Sequence, residues 1–168
     1  MSYGKKIAET IRDGKEKTLY TDPKQKITYY NHQEGDLKFQ VKFREFGKFG
    51  VDLDNITVIS KKPLPNVDAT RQIIEQQAEK IEQSITFLPE NFRLIEMDHT
   101  VKKAQLRSYP PQQEEDSKYY HEVVLEDGNS AHFQRYQFSR EKKRYQKVNS
   151  QLTRESFEKL IDSFAELF

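Results

Sequence analysis

The chain has 168 residues, a formal net charge of +1, 35% hydrophobic and 33% charged residues, and no cysteine. The near-neutral total gives no overall pull toward nucleic acid or an anionic membrane, and the missing cysteines exclude disulfides, thiolate catalysis and cysteine-ligated metals. Yet 11 Phe and 9 Tyr are far more aromatic side chain than a disordered chain carries, so a packed core is expected.

At the N-terminus, Ile7, Ala8 and Ile11 have helical spacing over residues 5–13, with Gly14 placed to stop the helix. Lys5 and Lys6 lie at the positive end of its dipole, which predicts fraying. No apolar run follows these lysines, so the segment does not read as a secretory signal. No stretch nears the roughly 20 apolar residues of a membrane span. The expectation is a soluble, cytoplasmic domain without a membrane partner.

Residues 25–60 read as strands. In the run after Glu34-Gly35-Asp36, Leu37, Phe39, Val41 and Phe43 alternate with Lys38, Gln40, Lys42 and Arg44, giving one apolar and one basic face. A three-residue loop at 34–36 would pair Gln33 with Leu37 and set Tyr29 against Val41 and Ile27 against Phe43. Gly47 and Gly50 mark a bend, after which Val51, Leu53, Ile56 and Val58 continue the meander. Residues 68–86 then read as a helix, capped by Asp68, with Ile74, Ala78, Ile81 and Ile85 as its apolar stripe.

Residues 92–107 suggest a strand pair, and 108–117 a mobile loop whose Tyr109-Pro110-Pro111 reads as a docking peptide or simply a linker. Asp127-Gly128 signals a hairpin between 118–126 and 130–138. Pairing Glu126 with Asn129 would put Tyr119, His121, Val123 and Leu125 on one face with His132, Gln134, Tyr136 and Phe138. Residues 140–148 read as a strand or a basic loop. The last helix, 153–168, is capped by Thr153 and carries Phe157, Leu160, Ile161, Phe164 and Leu167 along one stripe.

The fold expected is α+β: one domain over residues 1–168, an antiparallel sheet of about seven to nine strands packed on amphipathic helices. A turn, an alternating strand containing Phe-Gln, and an acidic helix opening on Thr-Arg occur twice in the same order. This raises a duplication of β-meander-plus-helix halves, residues 15–88 and 89–168.

The sequence carries no nucleophile elbow, phosphate-binding glycine loop or cysteine metal motif. Two constellations remain. In the hairpin register above, His121 and His132 are diagonal neighbours, half a metal site or simply two sheet-edge imidazoles. Lys38, Lys42, Arg44 and Arg135, with Phe133, Tyr145 and the basic run 140–144, interleave cations and aromatics. On a sheet face this pattern suits phosphates and stacked bases, or simply solvates the edge strands.

The reading is a non-catalytic binding module with a protein partner preferred and no cofactor or metal implied. Its surface is the sheet face free of helices, with Lys38, Lys42, Arg44, Arg135, His121 and His132 as candidates. A nucleic-acid binder on a basic, aromatic sheet face is the first alternative. An enzyme or small-ligand carrier with a His121/His132 pocket is the second. Oligomeric state stays open.

Overall fold

A computed structural model describes residues 2–14, 19–64 and 66–168. The opening residues of the first proposed repeat, 15–18, lie outside this set. The elements run α1 (Tyr3–Asp13), β1 (Leu19–Thr21), β2 (Thr28–Glu34), β3 (Leu37–Phe46), β4 (Gly50–Ser60), α2 (Val67–Ser84), β5 (Asn91–Asp98), β6 (Lys103–Tyr109), β7 (Gln112–Glu114), β8 (Ser117–Glu126), β9 (Ser130–Ser139), β10 (Arg144–Val148), β11 (Ser150–Thr153) and α3 (Arg154–Ala165). All eleven strands join one open antiparallel sheet whose main order is β1-β2-β3-β4-β9-β8-β6-β5. The architecture is α+β, with more strands than expected because β1 and β7 are only three residues long, too short to show an alternation.

The helices cover one face. Phe39, Val41, Ile56, Val58, Val123, Leu125, Ala131 and Phe133 point to that side and join Ile7, Ile74, Ile81, Phe157 and Phe164 in one apolar cluster. α1 packs on α3, α3 on β4 and β11, and α2 on β5, β6 and β8. α1 starts at Tyr3, earlier than expected, because Ser2 caps it, and Gly14 ends it at φ 63°. The Gly4 N–H donates to Asp162 on α3 at 2.8 Å, and a Cβ at Gly4 would collide with the Glu158 backbone. α2 is capped by Asn66, not Asp68: the Asn66 side chain accepts from the Ala69 N–H at 2.8 Å. Thr153 caps α3 as expected, accepting from the Ser156 N–H.

Both hairpin registers differ from expectation. β2 and β3 close through a two-residue loop, Gly35-Asp36, which sets Glu34 against Leu37 and Tyr30 against Val41. Tyr30, rather than Tyr29, therefore enters the core at 2% exposure. β8 and β9 close through three residues, 127–129, which sets Glu126 against Ser130. Residues 108–117 are not a loop: β6 extends to Tyr109, and β7 pairs with β8.

The sheet forks at its centre. Residues 55–59 of β4 pair with residues 130–134 of β9, but beyond this the two strands part. Residues 50–53 of β4 then take β11, and residues 135–139 of β9 take β10. Gln134 stands in the fork, 1% exposed, and its amide donates to the carbonyls of Asp54, Arg135 and Val148 at 3.1–3.3 Å. A buried carbonyl left unpaired is costly, so one side chain replaces the missing ladder. Antiparallel β4 and β9 unite the two proposed repeats, with both long helices on one face. This arrangement does not show a duplication: β4 leads to α2, whereas β10 and β11 intervene between β9 and α3.

Candidate functional site

The β8–β9 register decides where the histidines go. His121 lies opposite Arg135 and His132 opposite Val124, so the two imidazoles are on opposite faces. This corrects the expected His121/His132 pairing: one residue more in the loop shifts the partner strand and reverses its faces. His121 packs on the helix side, stacked on Phe133 with centroids 5.2 Å apart. Burial, then the nearby Arg135 cation, lowers its pKa to about 4. His132 lies on the uncovered face, with Nδ1 2.8 Å from the Thr57 hydroxyl, and burial also lowers its pKa. Among the described residues, no group of three or more acidic or histidine side chains is placed to hold a metal ion.

The other candidates also divide. Lys38 and Lys42 lie on the uncovered face, opposite Ile59 and Asn55 of β4, and the Lys42 ammonium sits 5.2 Å from the Tyr29 ring centroid. Arg44 occupies a β-bulge between Phe43 and Glu45, where simple alternation ends. Arg135 shares the His121 face. It donates to the Asn149 carbonyl and to Gln112, and lies 4.6 Å from the Tyr119 ring centroid.

A different part of the uncovered face is the more organised. Across β6, β8, β9 and β10, the register brings Arg107, Lys118, Tyr120, Glu122, Tyr136, Phe138, Tyr145 and Lys147 to one side. Tyr120 stacks on Tyr136 at 5.7 Å, and Tyr145 meets Phe138 at 4.8 Å. Burial pushes the Tyr120 phenol up to about 12. The Arg107 guanidinium lies 4.6 Å from the Tyr120 ring centroid, and its Nε is 3.3 Å from Glu122. Glu122 also accepts from Gln105 at 2.8 Å, so this nearly buried carboxylate is both paired and hydrogen-bonded. On the outer side, Arg93 of β5 lies 4.2 Å from the Tyr109 ring centroid.

These side chains enclose a cavity of about 330 Å³, lined by Ile95, Arg107, Ser108, Tyr109, Pro111, Lys118, Tyr120, Phe138 and Tyr145. Tyr109 and Tyr145 at its border are half exposed or more. The cavity has an aromatic floor, a cationic rim and room for one large flat or apolar group. Of its lining, the sequence singled out Tyr109, Pro111 and Tyr145. It missed Arg107, Lys118 and Tyr120, which only the four-strand register brings together. Alternation around Tyr119-Tyr120 could not choose a face, because both residues are aromatic.

Comparison with protein-family models, curated proteins and solved structures finds no match for this chain.

Proposed function

We propose that the protein is a non-catalytic binding module for an extended, acidic protein segment, taken up on the uncovered face of the sheet. The observation that carries this reading is the aromatic cavity beside Arg107 and Lys118. Aromatic-lined grooves accept proline or apolar side chains of extended segments, which lose little conformational entropy on docking. Lys118 and Lys147, with Arg93 at the border, steer carboxylates toward it. The surface is the helix-free face expected from sequence, but centred on Tyr120 and Tyr145 rather than on Lys38 and Lys42.

A second reading, single-stranded nucleic acid, draws on the exposed rings of Tyr109 and Tyr145 beside cations. Base stacking on such rings contributes about 1–3 kcal/mol per base. Against it stands the balanced total charge, since such binding rests chiefly on phosphate neutralisation.

The test is an NMR titration with two probes, an acidic proline-containing peptide and oligothymidylate. The peptide is expected to shift the amide resonances of Lys118, Tyr120 and Tyr145. Tyr145→Ala and Lys118→Glu should each weaken binding and leave the melting temperature unchanged. Shifts with oligothymidylate alone would establish the second reading. No shift with either probe would refute both.

A further inference from the structure

β5 is the last strand of the sheet, and among the described residues no strand pairs with its outer edge. Leu94 and Ile95, 40% and 52% exposed, stand at its middle. Arg93 and Glu96 flank them, and neither has an ion-pair partner among the described residues. On its inner side Arg93 faces Arg107, a like charge already paired with Glu122. Like charges directly opposite each other disfavour strand pairing, so Arg93 has a favourable place for a carboxylate only on its outer side.

We propose that this edge pairs with the same edge of a second copy of the chain, antiparallel, about a two-fold axis between Leu94 and Ile95. In that register Arg93 stands opposite Glu96 of the second copy, Phe92 opposite Met97 and Asn91 opposite Asp98, while Leu94 and the bulged Ile95 of both copies meet around the axis. Two salt bridges form and the exposed apolar pair is covered. The contact is isologous and closes at two copies.

The bulge in β5 makes this register possible. Opposed residues of an antiparallel pair must share a face, which in a regular strand positions 93 and 96 could not do. Ile95 is the extra residue between Leu94 and Glu96 in the pairing with β6. It shifts the rest of the strand by one. Asn91, Arg93, Glu96 and Asp98 therefore lie on the uncovered side, opposite Tyr109, Arg107, Gln105 and Lys103, while Phe92, Leu94 and Met97 lie on the helix side. A bulge and charges on an edge normally block arbitrary pairing, and here they leave one self-complementary register.

The proposal does not depend on the identity of the cavity's ligand. It has a consequence for the cavity, because a two-fold axis normal to the sheet puts both uncovered faces on one side. The two cavities, each bordered by Ile95 and Tyr109, then lie beside each other.

The test is light scattering after size exclusion, with sedimentation equilibrium, on the full chain and two variants. Wild type is expected to dimerise with concentration. R93E and E96R each place like charges opposite each other twice and should raise the dimer dissociation constant about tenfold or more. Melting of the exposed-site monomers checks that they fold. An equimolar mixture of R93E and E96R restores both opposite-charge pairs and should form a heterodimer. A wild type that stays monomeric, a dimer indifferent to both variants, or a mixture that fails to associate would each overturn the proposal. The peptide titration of the cavity reads out separately.

Discussion

The β2–β3 and β8–β9 hairpins lie in the same sheet and both turn through a glycine with positive φ, at Gly35 and Gly128. They nevertheless differ in loop length. The first takes two residues, with Gly35 at the first central position, the arrangement whose twist suits flanking strands. A Cβ at Gly35 would meet nothing within 4 Å, and the loop's one outside backbone bond is from the Lys61 N–H to Asp36. The second begins with a different four-residue turn, in which Asp127 and Gly128 both have positive φ and the Asn129 N–H is bonded to the Glu126 carbonyl. Three neighbours then hold it: Asp127 donates to Lys102, Asn129 accepts from Ser60, and Gly128 accepts from the Gln77 side chain. Local turn chemistry sets loop length where the loop faces solvent. Where the loop backbone is bonded to other elements, those elements set it.

The largest expected effect follows from the second loop. Its extra residue brings Phe133 and Arg135 of β9 onto the face of His121, which lies on the helix side with Val123 and Leu125, where the charged imidazole is disfavoured. The folded-state pKa of about 4 lies below the usual 6.5, so between these values the unfolded chain binds the additional proton. Stability from this group is complete above pH 6.5 and falls by about 3 kcal/mol as the pH drops to 4. Urea melts at pH 7 and pH 4 should show that loss, reduced by about the same amount in His121→Phe, which keeps the ring. A His121 imidazole titrating near its usual value by NMR would mean that the ring is not buried beside Phe133 on the helix side. Next in size is Gly128→Ala, at about 2–3 kcal/mol. An alanine there adopts a left-handed backbone and also crowds the Leu64 side chain at 3.2 Å. Thermal denaturation measures it.

The hairpins also show how much of the molecule the sequence discloses. Helical stripes were legible because Ile74, Ala78 and Ile81, or Phe157, Leu160 and Phe164, repeat with a period that only one element satisfies. The apolar face of β3 was legible for the matching reason. Cap position was not, since Asn66 and Asp68 are both good caps two residues apart, and the choice falls to backbone geometry. The set Tyr119, His121, Val123 and Leu125 does share a face, but the β9 residues assigned to it were wrong, because Phe133 with Tyr136 and Phe138 puts aromatics on both sides of that strand. There register depends on loop length, and loop length on contacts from Ser60, Gln77 and Lys102. The cavity inherits that difficulty: Arg107 reaches Tyr120 only through a β6–β8 pairing that skips β7 in sequence.

Two smaller effects sharpen the contrast between the hairpins. Gln77, 2% exposed, donates to the Gly128 carbonyl at 2.9 Å, so Gln77→Leu leaves a buried acceptor without its side-chain donor. The expected loss is about 1–3 kcal/mol in urea melts, together with faster amide exchange around Asn129. Among the described residues, no corresponding side chain holds the first loop. Gly35→Ala should therefore cost only the left-handed backbone, about 1–2 kcal/mol, with no added crowding. If Gly35→Ala proved as damaging as Gly128→Ala, the neighbours at Gly128 would count for little, and backbone conformation alone would govern both turns. A clear gap between the two alanines, narrowed when Leu64 is also shortened to alanine to relieve the contact at Gly128, would assign the difference to packing.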